Sequence, residues 1–142
     1  MILPDVNVLV YAHREDAARH QEFRTWLQGV LDGPSAYGLS DLVLSGFIRV
    51  VTHPRIFARP TPLAEALDFV HAVRGPAHRV PVHPGPRHWE IFQALCRDAE
   101  ARGNLIPDAW LAALAIESGS EWITTDCDFA RFRGLRMRHP LD

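Results

Sequence analysis

Apolar positions fall into short runs and longer helical stripes, and this alternation predicts an α/β domain. The short runs predict five strands, at Met1–Leu3, Ser35–Leu39, Val80–His83, Trp122–Thr125 and Leu135–Met137. Stripes with a 3.6-residue period predict helices near Asp16–Leu31, Asp41–Thr52, Pro62–Arg74, Pro86–Arg102 and Pro107–Ser118. Strands separated by crossover helices favour a three-layer α/β/α fold with a central, mostly parallel sheet.

Two segments carry weaker signals. The apolar run Val6–Val10 follows Asp5 directly, and we expect the first strand to end near Asp5 and the chain then to turn. The segment Asp126–Phe132 is expected to form a turn or a short helix. Gly103 and Asn104 are expected to cap the preceding helix.

The length of 142 residues predicts a single domain spanning 1–142. No apolar run approaches the ~18 residues of a membrane span, and no basic region precedes the first strand as in a signal peptide. The two cysteines, Cys96 and Cys127, are too few for a disulfide framework. We therefore expect a cytoplasmic protein with no membrane partner, and most of its eight histidines at the surface.

Acidic residues stand where two predicted strands end and where one helix begins. Asp5 follows the first strand, Asp126 and Asp128 follow the fourth, and Asp108 opens the helix that feeds the fourth strand. Side chains beyond the carboxyl ends of parallel strands gather at one edge of the sheet. These carboxylates are therefore expected to converge.

Converging carboxylates repel one another, so either their pKa values rise or a cation neutralises them. Hard oxygen ligands suit Mg²⁺ or Mn²⁺. We predict Asp5, Asp108 and Asp126 as catalytic residues and metal ligands, with Asp128 as a further ligand. Asn7 and Thr124 are predicted supporting residues. Each position also has a purely structural explanation, because Asp caps helices and forms turns and Thr favours strands.

Four segments occur together in a pattern that is similar to one known family. They are Leu3–Ala12, Phe47–Phe57, Pro107–Ala115 and Thr124–Phe129. In order and spacing the chain resembles, over nearly its whole length, the PIN-domain toxins of bacterial VapBC toxin–antitoxin modules, the VapC family.

The resemblance implies a compact α/β/α domain that cleaves RNA phosphodiesters with metal-activated water, using Mg²⁺ or Mn²⁺ held by acidic residues. Asp5, Asp108 and Asp126 match the family's main aspartates, and Asp128 matches a less constant one. The resemblance also implies a homodimer, an RNA substrate and a cognate VapB-type antitoxin. The antitoxin's tail is expected to reach toward the metal site, often with an arginine.

One position departs from this pattern. Many PIN domains carry a glutamate just before the Phe-x-Arg segment, where this chain has Gly46. Asp41 lies five residues upstream, about 140° around the helix, so it cannot simply replace that glutamate, although it could face the same edge. A glycine inside a helix costs about 1 kcal/mol relative to alanine, which suggests close packing at Gly46.

All fifteen basic residues are arginines, and the formal net charge is −2. Codon usage and phosphate recognition both explain such a composition. Arg49 and Arg55 are predicted RNA-binding residues, because positive charge beside an acidic cleft would attract a polyanion. Further candidates for phosphate contacts are Arg59, Arg131, Arg133, Arg136 and Arg138.

Three functions remain open from the sequence. The first is an endoribonuclease toxin. The second is a catalytically weak PIN domain that binds RNA or an antitoxin, as the loss of a carboxylate at Gly46 would allow. The third is a phosphotransferase with Asp5 as nucleophile, which is disfavoured because it would need a lysine that this chain lacks.

Overall fold

A computed structural model describes all 142 residues as alternating strands and helices. The α-helices are α1 (Val6–His13), α2 (His20–Asp32), α3 (Asp41–Val51), α4 (Leu63–Arg74), α5 (His88–Asp98) and α6 (Leu105–Glu117). The strands are β1 (Ile2–Pro4), β2 (Tyr37–Leu39), β3 (Arg79–Pro81), β4 (Glu121–Ile123) and β5 (Met137–Arg138). A short 3₁₀ helix covers Cys127–Arg131. None of the helices has the length and apolar composition that a membrane span requires.

The five strands form one sheet in the order β3-β2-β1-β4-β5, and every neighbouring pair is parallel. Strand β1 lies at the centre, with Ile2 opposite Tyr37 of β2 and Pro4 opposite Ile123 of β4. Six helices flank this sheet, so the predicted α/β/α fold is confirmed. Because β1 and β4 are parallel, their carboxyl ends lie at the same edge of the sheet.

The core is a single cluster of 28 buried apolar residues on the two faces of the sheet. The central strands are tightly packed within it. Leu3, Trp122 and Ile123 of these strands have no exposed surface. A Cβ at Gly38 in β2 would lie 2.9 Å from Val82 Cγ2 and 3.3 Å from the Ile2 carbonyl oxygen. Glycine at this position therefore permits the close approach of the strands.

The first helix differs from the expectation. The apolar run after Asp5 is the helix α1 and not a turn, because Asp5 caps it and Val8, Leu9, Val10 and Ala12 are all buried. A helix buried on most sides shows no amphipathic stripe, so periodicity could not identify it. The next helix starts at His20 and not near Asp16, because Arg19 adopts a left-handed conformation with φ of 58° immediately before it; Arg14 and Asp16 form an ion pair in the connecting turn.

Two further boundaries also differ. Helix α5 ends at Asp98 because Glu100 adopts a left-handed conformation with φ of 49°, and the Ala101 N–H donates to the Cys96 carbonyl. This is a Schellman ending with glutamate in the position usually taken by glycine, so Gly103 is not the cap. Strand β5 begins at Met137, two residues later than predicted. His20 and His88 are buried, whereas the other six histidines are partly or fully exposed, so the expectation that most histidines lie at the surface is confirmed.

Candidate active site at the carboxyl edge of the sheet

Asp5 occupies the step from the central strand into α1. Its backbone N–H donates to the Ile123 carbonyl at 2.9 Å, which continues the β1–β4 pairing. Its Oδ1 accepts from the Val6 N–H at 2.7 Å and so caps α1. The residue is 5% exposed. The sheet and the helix cap together fix the carboxylate at the edge of the sheet.

Thr124 connects the ends of β1 and β4. Its hydroxyl donates to Asp5 Oδ2 at 2.6 Å and accepts from the Asp126 N–H at 3.0 Å. Asn7 Nδ2 also donates to Asp5 Oδ2, at 3.2 Å, and lies 3.3 Å from Thr124 Oγ1. Thr124 is 2% exposed. The predicted supporting residues Asn7 and Thr124 therefore hold Asp5, while their catalytic contribution stays a prediction.

Asp126 and Asp108 approach the same edge from two other elements. Asp126 begins the 3₁₀ helix after β4, and its Oδ1 accepts from the Asp128 N–H at 2.8 Å. Asp108 lies in the first turn of α6 and is partly buried. The two positive helix ends favour negative charge there.

The carboxylates influence one another's protonation. Burial raises the pKa of Asp5 to about 6, and the charge of Asp126 adds to this, while hydrogen bonds from Thr124, Val6 and Asn7 oppose it. Burial also raises the pKa of Asp108 to about 6, with further contributions from Asp126, Asp5 and Asp128. The predicted acidic cluster thus exists as an electrostatic unit in which negative charge is incompletely compensated.

One cleft of about 500 Å³ contains the three main aspartates, Asp5, Asp108 and Asp126. Its walls come from α1, α3, α6, the loop after α3 and the start of the 3₁₀ helix. Besides the aspartates the lining residues are Val6, Asn7, Val10, Tyr11, Gly46, Arg49, Val50, Ile56, Phe57, Pro107, Leu111 and Phe129. The topology therefore brings together residues that are more than a hundred positions apart.

Known proteins share both the sequence pattern and the fold. The family model of the PIN domain matches residues 2–135. Ribonuclease VapC43 of Mycobacterium tuberculosis is 47% identical over 142 residues, which cover all of this chain and 97% of the relative. The chain belongs to the VapC family of PIN-domain proteins.

Solved structures of the VapC family and its relatives confirm the fold at low sequence identity. The VapBC2 complex of Rickettsia felis, bound to a DNA fragment from its promoter, aligns with a TM-score of 0.70 at 18% identity, covering 98% of both chains. VapC20 of M. tuberculosis, described as a sarcin-ricin loop cleaving toxin, aligns with a TM-score of 0.66 at 18% identity. That alignment covers 96% of this chain and 99% of VapC20.

Gly46, where the family resemblance leads one to expect a glutamate, lines the cleft opposite α1. A Cβ there would lie 3.0 Å from Val6 Cγ2, so the predicted close packing is confirmed. Asp41 does not replace the missing carboxylate. It lies away from the cleft, with an oxygen 3.9 Å from Arg74.

The donor set fits a hard divalent cation, though not as a preassembled cage. No three His, Cys, Asp or Glu side chains lie close enough together to form a metal-binding group. Mg²⁺ usually takes only one or two carboxylates and completes its shell with water and phosphate oxygens. Three oxygen-bearing aspartates around one cleft, two of them with raised pKa values, are compatible with that mode.

Of the remaining predicted site residues, Arg49 lies in the cleft, whereas Arg55 and Asp128 lie outside it. The Arg55 side chain is exposed. Asp128 is exposed as well and lies 3.8 Å from Arg131, although its charge reaches Asp108. Among the other arginines, Arg136 donates to the Gly119 carbonyl and Arg138 pairs with Glu121, so both already have protein partners. The ligand role of Asp128 and the RNA-binding roles of Arg49 and Arg55 stay predictions.

Tyr11, Ile56 and Phe57 of the cleft were not among the site residues predicted from the sequence. Tyr11 lies one helical turn after Asn7, and it would have been found had α1 been recognised as a helix. Ile56 and Phe57 come from an irregular loop, where no periodic signal exists. Arg14, buried beneath that loop, was also missed.

Proposed function

We propose that this chain is a Mg²⁺- or Mn²⁺-dependent endoribonuclease and the toxin component of a type II toxin–antitoxin system. The supporting observation is the convergence of Asp5, Asp108 and Asp126 on one cleft at the carboxyl edge of the sheet. The naming of the relatives supports the substrate class, since VapC43 is described as a ribonuclease and VapC20 as a sarcin-ricin loop cleaving toxin.

In this proposal Asp5, Asp108 and Asp126 would hold the metal ion. When bound, a divalent ion supplies a Lewis acid that polarises a phosphoryl oxygen and lowers the pKa of water. Thr124, Asn7 and the Val6 N–H fix the orientation of the Asp5 carboxylate through their hydrogen bonds. A carboxylate with both oxygens restrained needs no reorganisation when substrate arrives.

Asp108 differs from Asp5 in that no protein hydrogen bond acts on its carboxylate. With no metal bound, burial and the neighbouring carboxylates raise the pKa of Asp108 to about 6. A divalent cation at this site would favour the ionised form of Asp108, as its role as a ligand requires. Arg49 would contact the phosphate backbone with its guanidinium group.

The proposed partners follow from the relatives. The Rickettsia felis neighbour is a VapBC complex, which supports a cognate VapB-type antitoxin for this chain. We also propose a homodimer and a cytoplasmic location. The antitoxin would inhibit by covering the acidic cleft.

A cleavage assay with a matched aspartate variant tests the enzyme. Purified protein is incubated with total RNA and MnCl₂, with or without EDTA, and cleavage ends are mapped by sequencing. We expect discrete cleavage sites that disappear with EDTA and in Asp5→Ala. Asp68→Asn, in which an exposed aspartate of α4 without an ion pair is changed, should cleave like the wild type. Persistence of the same sites in Asp5→Ala would refute the proposal.

A second candidate function rests on Gly46. Without a carboxylate at this position the cleft has one acidic group fewer, and the chain would act as an RNA- or antitoxin-binding module with weak catalysis. Tight antitoxin binding with no turnover at high Mn²⁺ would favour this alternative.

A further inference from the structure

The cleft has two chemically different ends. The acidic end carries Asp5, Asp108 and Asp126, whereas Tyr11, Ile56 and Phe57 line it elsewhere. Asp5 is the N-cap of α1 and Tyr11 lies within this helix, so their backbones are about 9 Å apart along the helix axis. Tyr11 is therefore close to the acidic residues without overlapping them.

The apolar wall is held in place before any ligand binds. The buried Arg14 guanidinium lies 4.0 Å from the centroid of the Phe57 ring. Arg14 also donates to the Arg59 carbonyl at 2.8 Å and pairs with Asp16 at 2.6 Å. In the same loop the Phe57 N–H donates to the His53 carbonyl at 3.1 Å. Arg14 thus fixes the loop that presents Ile56 and Phe57.

A free cation also borders the cleft. Arg49 follows Gly46 by three residues on α3, and both line the cleft. Arg49 is exposed and makes no ion pair with the protein. The Arg49 guanidinium group has several N–H donors and no ion-pair partner within the protein. It can therefore pair with the negative charge of a phosphodiester next to the acidic residues.

We propose that the apolar end is a nucleobase subsite, where one unstacked base of the RNA lies against Tyr11, Ile56 and Phe57 while Arg49 contacts its phosphate. This inference rests on the proposed function for the choice of RNA. Proteins recognise single-stranded RNA by holding splayed bases against aromatic side chains. The cleft volume of about 500 Å³ lies within the ~300–1,000 Å³ typical of small-ligand sites. A nucleotide can pack its base against the apolar wall and pair its phosphate with Arg49. An apolar peptide side chain can pack against the wall but cannot pair with Arg49.

The test measures binding in EDTA and so does not depend on catalysis. Protein-detected NMR follows titrations with the four nucleoside monophosphates, with ribose 5-phosphate and with N-acetyl-phenylalanine amide. Ribose 5-phosphate has the phosphate without the base, and the amide has an aromatic ring without the phosphate. We expect nucleotides to shift the signals of Tyr11, Ile56 and Phe57. They should bind about tenfold more tightly than ribose 5-phosphate, within the roughly 5- to 150-fold expected from stacking one base.

Ile56→Ala is the informative variant and Leu42→Ala its matched control. Ile56 and Leu42 are 51% and 54% exposed, so neither change should unfold the protein, but only Ile56 lines the cleft. Ile56→Ala should weaken nucleotide binding severalfold and leave ribose 5-phosphate unaffected, whereas Leu42→Ala should change neither.

Equal binding of nucleotides and ribose 5-phosphate would overturn the subsite. Equal effects of Ile56→Ala and Leu42→Ala would overturn it as well. Binding of the phenylalanine amide as tightly as the nucleotides would identify a groove for protein side chains and also refute it. If nucleotides bind as expected but no EDTA-sensitive RNA cleavage occurs, only the ribonuclease proposal fails. If RNA is cleaved but nucleotides bind no more tightly than ribose 5-phosphate, only the subsite proposal fails.

Discussion

Asp108→Asn removes one charge from the acidic cluster while preserving the shape of the side chain. The pKa of Asp108 rises from 3.8 to about 6 in the folded protein, so the native state binds more protons than the unfolded state between these values. Stability from this group is therefore lost as pH rises from about 4 to about 6. Above pH 6 the ionised carboxylate destabilises the metal-free protein, and the asparagine variant escapes this penalty.

The size of the expected stability difference follows from the raised pKa of Asp108. About two pKa units correspond to roughly 3 kcal/mol, but Asp108 is only partly buried, and solvent screening reduces this to about 1 kcal/mol. We expect metal-free Asp108→Asn to melt about 3 °C above the wild type at pH 7.5 and at the same temperature at pH 4.

Thermal unfolding with EDTA at several pH values measures this difference. Asp68→Asn, at an exposed position of α4, serves as the control and should change the melting temperature by less than about 1 °C at each pH. At a Mn²⁺ concentration ten times its Kd, the wild type should gain about 1.4 kcal/mol, and Asp108→Asn should lose most of this gain. A variant less stable than the wild type at pH 7.5, or a difference that does not change with pH, would refute the reasoning.

Three further substitutions test other contacts of the site and the sheet. Thr124→Val removes the hydroxyl that donates to Asp5, so the pKa of Asp5 should rise further and stability should fall by about 2 kcal/mol; urea unfolding measures this. Gly46→Glu should destabilise the chain by about 1–3 kcal/mol because its Cβ meets Val6, yet strengthen Mn²⁺ binding, as calorimetry would show. Gly38→Ala should lower stability by about 1–3 kcal/mol, measured by thermal unfolding, because its Cβ would overlap neighbouring atoms of the sheet.

Each of these three has a control. Thr124→Ser keeps the hydroxyl and should retain most of the stability; equal losses in Thr124→Ser and Thr124→Val would contradict the hydrogen-bond argument. Val6→Ala combined with Gly46→Glu should recover stability, and strict additivity would show that the two side chains do not clash. In Gly29→Ala, within α2, the added Cβ meets nothing within 4 Å and alanine favours the helix, so stability should stay the same or rise; a loss as large as that of Gly38→Ala would contradict the crowding argument.

The sequence was sufficient to predict the parallel sheet and the residues at its carboxyl edge, since strand ends and acidic residues coincide at Asp5 and Asp126. It was insufficient for α1, because a helix buried on most sides has no polar face to establish a period. The apolar wall at Ile56 and Phe57 depends on a loop fixed by the distant Arg14. Such tertiary contacts leave no local pattern.

The position of β1 at the middle of the sheet has a consequence for biosynthesis. This strand is synthesised before β4, and the pairing of the two joins Ile2 to Glu121, which lies more than a hundred residues later. Contacts between residues so far apart form late. A growing chain therefore carries Asp5 for more than a hundred residues before Asp126 is made. An incomplete polypeptide would therefore lack the assembled cleft until the segment that contains β4 and Asp126 has been synthesised and has paired with β1.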